Sequence, residues 1–202
     1  MLLPIHPKNP QPRQIKTVVT TLEKGGVIIY PTDTIYGLGC DILQQKAIEH
    51  VCRIKHVDPK KAQLSFICSD LSHLSDYAKQ LSTSTYRLLK EYLPGPYTFI
   101  LPASKMVPRI LQSKKETIGL RIPDNPIALA IIKELGRPIL SASLPGEMVE
   151  DYTDPQIMYE NFGHEVDLVV DGGTGGTEPS TVIDCTGSAP VVIRQGLGAW
   201  EE

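Results

Sequence analysis

The sequence predicts an α/β (α+β) fold: one domain built on an open, twisted, mixed β-sheet with flanking helices. Three observations carry this. Short β-branched runs alternate with segments of helical period along most of the chain. The last strands follow one another with little helix between them, which calls for a mixed sheet rather than a purely parallel one. The 202 residues suffice for one substantial core, and no repeat, charge run or linker divides them.

The elements follow in order. Residues 1–12 form a proline-punctuated leader, expected to be draped over the surface. Ile15, Val18, Val19 and Leu22 then fall on one helical face, and Gly25-Gly26 stops that helix. Residues 27–30, Val-Ile-Ile-Tyr, read as a strand buried on both faces, ended by Pro31, which has no N–H for the ladder. Thr32, Asp33 and Thr34 lie just past its carboxyl end, where open α/β sheets hold their ligands. Gly37 and Gly39 allow close backbone approach or a positive φ.

Ala47, Ile48, Val51 and Cys52 mark the next helix, with Arg53 and Lys55 at its C-terminal end. A strand at 64–68 precedes helices at 71–77 and 82–92. A Pro-Gly-Pro turn opens the strand 97–101, and another strand, 117–122, ends at Pro123. A helix over 125–135 has Asn125 as N-cap and Pro126 in its first turn. A strand at 138–142, a helix at 154–162 and strands at 166–170, 181–185 and 191–194 complete the reading.

Composition limits the function classes. The chain is 41% hydrophobic and 21% charged, as soluble globular proteins are, and its net charge of −3 means that any polyanion surface must be a local basic patch. No apolar run is long enough to span a bilayer, and the N-terminus lacks the charged and apolar regions of a signal peptide, so a cytoplasmic protein away from membranes is expected. Cys40, Cys52, Cys68 and Cys185 are scattered without a CxxC pair. Reduced, mostly buried thiols are expected, with no disulfide or structural metal.

No catalytic side chain announces itself: GxSxG, HExxH and GxxxxGK[ST] are all missing. Residues 172–176, Gly-Gly-Thr-Gly-Gly, read first as a flexible loop and second as a phosphate cradle. Cations and hydroxyls at strand ends stand out instead: Thr34, Lys55, Lys61, Thr117, Arg121, Ser141, Ser143, Ser180 and Arg194. Such a set suits phosphates and a carboxylate, since Arg grips oxyanions with paired hydrogen bonds and Lys supplies a compact charge. Taken singly, most of these cations suit a solvated surface, Thr117 and Thr181 suit a strand, and Ser141 and Ser143 suit a turn. Arg121 is the exception, because a charge inside the apolar run Ile118-Gly119-Leu120-Arg121-Ile122 needs a partner or a cleft.

The run Tyr-Pro-Thr-Asp-Thr-Ile-Tyr-Gly-Leu-Gly at 30–39 resembles the signature of the YrdC/YciO family, whose best-known members make threonylcarbamoyl-adenylate for tRNA modification. Further matching segments lie at 53–55, 94–98, 117–123, 138–143, 179–184 and 194–196, so the resemblance covers nearly the whole chain. It implies a YrdC-like fold with a concave ligand face and the site roles that follow. Thr34 and Arg121 hold the amino acid, joined by Ser180 or Thr181. Lys55, Thr117, Ser141, Ser143 and Arg194 approach ATP, which enters as its magnesium complex; no tightly bound cofactor is implied. L-Threonine's amine captures bicarbonate as a carbamate, whose oxygen attacks the α-phosphate and expels pyrophosphate. Catalysis then rests on positioning and charge neutralisation. With the chain ending shortly after residue 196, the extra C-terminal domain of longer members is expected to be missing.

Two motif positions depart from the synthases. Val57 stands where their Lys-x-Arg pair has arginine, and Pro145 where their Ser-x-Asn has asparagine. Each lost charge-assisted contact costs ~1.5–3 kcal/mol. Lys60 and Lys61 lie close enough in sequence to supply charge, though not arginine's fork. These departures resemble the YciO branch. Two other readings stay open: a module binding tRNA or double-stranded RNA without turnover, as members of the family are associated with duplex RNA, and a related acyl-adenylate or carbamoyl chemistry on another small acid.

Overall fold

A computed structural model describes residues 1–58, 64–111, 116–145 and 149–200. Its elements run β1 (Leu2–Pro4), α1 (Pro12–Glu23), β2 (Val27–Tyr30), β3 (Gly37–Asp41), α2 (Gln45–Ile54), β4 (Ser65–Ile67), α3 (Leu71–Tyr77), α4 (Thr83–Tyr92), β5 (Tyr97–Pro102), β6 (Thr117–Arg121), α5 (Pro126–Leu135), β7 (Ile139–Ser143), α6 (Pro155–Phe162), β8 (Leu168–Asp171), β9 (Thr181–Asp184) and β10 (Val191–Arg194). The strands form one mixed ten-stranded sheet in the order β1-β8-β2-β3-β7-β4-β6-β5-β9-β10. Parallel pairs (β1/β8, β2/β8, β4/β6, β5/β9) are mixed with antiparallel ones, as the short late connections predict.

Two strands depart from the sequence reading. Leu2–Pro4 is no surface leader but a strand paired parallel with β8, with Leu2 and Leu3 packed against the two cores; Pro4 is tolerated because it ends an edge strand. Gly37–Asp41, not read as a strand from the sequence, is a central strand with every residue buried. The glycines are needed there because the Tyr30 ring lies across them: a Cβ on Gly39 would come within 2.9 Å of Tyr30 Cε1, and one on Gly37 within 3.0 Å. Neither has positive φ among the described residues.

Side chains alternate across the sheet, so each face has its own cover. One face carries Ile29, Leu38, Leu140, Phe66, Leu120, Phe99 and Ile183 into the larger core, completed by α2, α3, α4 and α6. The opposite face is apolar only over β8, β2 and the ends of β7 and β4, where Leu168, Val170, Ile28, Ile139 and Ile67 pack under α1 and α5. The two helices lie side by side and leave the rest of that face to polar residues. Asn125 caps α5 by accepting from the N–H groups of Ile127 and Ala128, and its Nδ2 donates to Thr32 O at 3.2 Å, tying the loop after β2 to this helix.

At the far end of β3, Asp41 is fully buried and paired with Arg137. Nε donates at 2.9 and 3.0 Å to the two carboxylate oxygens, Nη2 donates to Oδ2 at 2.5 Å, and Leu43 N donates to Oδ1 at 3.0 Å. Cys40, Cys52 and Cys68 are buried free thiols, and burial pushes their thiol groups up, as it does the half-buried Cys185. No described helix is long and apolar enough to cross a membrane.

Candidate functional site

The part of the second face that α1 and α5 leave uncovered is where the sequence-nominated residues gather. Registers place Ser143 opposite Gly37, Ser141 opposite Gly39 and Ser65, Ser65 opposite Gly119, and Tyr97 beside Thr181. Strand alternation then sets Ser141, Ser65, Gly119, Arg121, Thr98 and Ser180 on one face. Thr117 stands on that face at the start of β6, and Arg194 sits beside Val182 across the β9–β10 ladder, next to a register shift.

Arg121 is at the centre. Its side chain is 8% exposed, and its Nη2 donates to Asp33 Oδ1 at 2.5 Å and to Thr34 Oγ1 at 2.9 Å. Thr34 is buried and shares a 3.1 Å contact with Thr32 Oγ1, which itself donates to Ile35 O. Two buried atoms in this group have no hydrogen-bond partner among the described residues: Arg121 Nε and Asp33 Oδ2. Buried polar atoms are rarely left unpaired, so each orphan marks a place where a ligand group can complete the set.

Two further cations flank this centre. Lys55, just past α2, donates from Nζ to Ser143 O at 2.8 Å and Ser143 Oγ at 2.9 Å, and loss of solvent lowers its pKa. Arg194 donates through Nε and Nη2 to Ser180 O at 3.2 and 2.8 Å; desolvation lowers its pKa, with Arg121's charge adding to the effect. Ser180 Oγ lies 2.9 Å from Thr98 Oγ1. Ser141 Oγ accepts from Tyr30 OH at 2.7 Å; burial pushes that phenol up to about 12, so it stays a proton donor near neutral pH. An opening with three cations and several hydroxyls suits a ligand with more than one negative charge.

Thr181 is placed differently. Its side chain is fully buried, and its hydroxyl donates to Gly198 O at 2.6 Å while accepting from Gly196 N at 3.0 Å, so it secures the turn after β10 rather than facing the opening. The glycine-rich run is neither a loose loop nor a cradle of free amides. Gly172 N donates to Tyr36 OH, Gly173 N to Asp171 Oδ1, Gly175 N to Thr153 O and Gly176 N to Thr34 O. Tyr36 OH in turn donates to Gly173 O at 2.6 Å, and a Cβ on Gly176 would sit 2.6 Å from Thr34 O. The run is a clamp that backs the 32–36 loop.

Lys61, like Lys60, lies outside the described residues. Val57 and Pro145, the two departures, stand two positions beyond Lys55 and Ser143, which are hydrogen-bonded to each other. Sequence reasoning left out Asp33, Ser65, Thr98 and Tyr30 as site residues. Asp33 was signalled by its place next to Thr34, whereas the other three become visible only once strand register is known. Among the described residues no group of three or more His, Cys, Asp or Glu stands together as metal ligands would.

Comparison with known proteins follows the same lines. The family model Sua5_yciO_yrdC, described as Telomere recombination, matches residues 20–196. The Escherichia coli K12 protein named uncharacterized protein YciO is 47% identical over 197 residues, which cover 96% of this chain and 94% of that one. The crystal structure of E. coli YciO superposes with a TM-score of 0.92 at 45% identity, covering 98% of this chain and 97% of that chain. The threonylcarbamoyl-AMP synthase of Pyrococcus abyssi is 31% identical over 185 residues, covering 91% of this chain and 54% of that protein. The crystal structure of P. abyssi Sua5 complexed with L-threonine matches with a TM-score of 0.86 at 28% identity, over 97% of this chain and 57% of that chain.

Proposed function

Because this chain belongs to the Sua5/YciO/YrdC family and is related to threonylcarbamoyl-AMP synthases at about 30% identity, we propose that it binds an amino acid and ATP on the polar face and carries synthase-type chemistry. In this reading it forms L-threonylcarbamoyl-adenylate, water and pyrophosphate from L-threonine, bicarbonate and ATP, and serves tRNA threonylcarbamoyladenosine modification. The observation that carries it is the buried guanidinium of Arg121, with Nε unpartnered, held by Thr34 and close enough to Arg194 for the two charges to act on each other.

Each residue then has a task. Arg121 Nε meets the amino acid's carboxylate, and Thr34 fixes the guanidinium that does so. Lys55 and Arg194 neutralise the triphosphate, Ser141 and Ser143 give it hydrogen bonds, and Ser180 joins Arg121 and Thr34 toward the amino acid. Thr117 stands at the same opening. The threonine amine, once free of its extra proton, attacks bicarbonate carbon; water leaves and a carbamate remains. One carbamate oxygen then bonds to the α-phosphorus as the bond to the bridging oxygen of pyrophosphate breaks. No protein nucleophile is required, because alignment of the carbamate oxygen with the α-phosphorus and neutralisation of developing charge lower the barrier.

Pyrophosphate release from ATP–Mg²⁺, measured with L-threonine and bicarbonate and with each omitted in turn, tests the reading. Release that needs all three, with an adenylate of the right mass, supports it. Nucleotide binding without release refutes turnover on threonine.

A further inference from the structure

Asp33 is the group for which this reading has no task. Its side chain is 11% exposed; Oδ1 faces Arg121 Nη2, and Oδ2 is buried without a partner. A carboxylate kept only to balance an arginine has a better arrangement available, and Asp41 shows it within the same chain: both oxygens engaged by the guanidinium and Leu43 N added. Asp33 forgoes that pairing, although Arg121 Nε is also unoccupied. The pair therefore presents one leftover acceptor and one leftover donor, both atoms buried and both on the same ion pair. An α-amino acid carries the complement of both on one carbon: N–H donors beside a carboxylate.

Resting on the proposed amino-acid site, we propose that Asp33 is a ligand-contacting residue whose Oδ2 accepts an N–H of the α-nitrogen. The contact makes the site select α-amino acids over acids that lack the nitrogen. The acceptor keeps its use as the reaction proceeds: ammonium, amine and carbamate nitrogen each retain at least one N–H. Discrimination of this kind is strong because an analogue without the N–H leaves a buried carboxylate oxygen unpaired.

Calorimetry with L-threonine and with 3-hydroxybutanoate, the same acid without its amine, tests this on the wild type and on Asp33→Asn. The wild type should bind threonine about ten-fold or more tighter. Asp33→Asn places an amide where the carboxylate was, so threonine should weaken by about ten-fold while 3-hydroxybutanoate stays within about two-fold, closing the gap. A wild type that does not separate the two acids overturns the proposal, and this holds whether or not the variant folds. A variant that keeps the gap also overturns it, leaving Asp33 as the counter-ion of Arg121. A wild type that ignores threonine but binds another α-amino acid in an Asp33-dependent way refutes the threonine reading and upholds this one. Binding of no amino acid at all refutes both.

Discussion

Asp41–Arg137 and Asp33–Arg121 are two arginine–aspartate pairs with opposite designs. In the first, a fully buried carboxylate has both oxygens engaged, and Arg137 retains some exposure. In the second, one guanidinium nitrogen is shared between Asp33 and Thr34, while a donor and an acceptor are left over. A buried ion pair offsets its desolvation only when its remaining hydrogen-bonding capacity is used. By that measure the first pair is finished as folded and the second needs something from outside. The second also lies on the face that α1 and α5 leave uncovered, whereas the first joins the end of β3 to the turn after α5.

The largest expected effect falls on the finished pair. Arg137→Ala strands the Asp41 carboxylate and should cost about 3–5 kcal/mol of stability in urea denaturation, with amino-acid affinity of the remaining folded protein unchanged. A loss below about 1 kcal/mol would dissolve the contrast between the pairs.

Arg121→Ala should show the reverse balance. Affinity for the amino acid should fall by one to two orders of magnitude, about 1.5–3 kcal/mol, by calorimetry. Its stability cost should be smaller than that of Arg137→Ala, since the Asp33 side chain is 11% exposed whereas that of Asp41 is fully buried. Unchanged affinity would make Arg121 structural.

Val57→Arg with Pro145→Asn sharpens the comparison by adding partners at the flank of the unfinished region. ATP affinity should rise about ten-fold. A folded double variant with neither tighter ATP binding nor faster turnover would remove these positions from the nucleotide.

The smallest effect is in pH. Desolvation lowers the pKa of Lys55 below the ordinary 10.5, so its charge is lost at a less alkaline pH than a free lysine's. Nucleotide affinity should be steady near neutrality and decline as pH rises through that lowered value. Lys55→Arg should remove the decline, because guanidinium stays charged. Identical pH profiles would mean that Lys55 does not face the nucleotide.

Much of this was legible in the chain. The 27–30 run, the Asn125 N-cap of α5 and the isolated charge of Arg121 follow from local chemistry, and each stands where local chemistry puts it. What escaped was set by distant partners. Gly37–Asp41 is a strand because β2 and β7 pair with it on either side, its glycines making room for the Tyr30 ring, and Leu2–Pro4 is one because β8 offers an edge. Thr181 and Ser180 are neighbours in sequence on opposite faces, and only the turn at 196–198 shows which hydroxyl is already spent.

The Tyr36 hydroxyl has a consequence in time. It accepts from Gly172 and donates to Gly173, and Gly176 is bonded to Thr34 from the same run. The loop after β2 and the loop after β8 are therefore tied to each other, and they are expected to open together. Amide protons at Gly172 and Gly176 should exchange with solvent at one common rate, set by that single opening. Any ligand that must pass Thr34 on its way to Arg121 would enter and leave on the same clock.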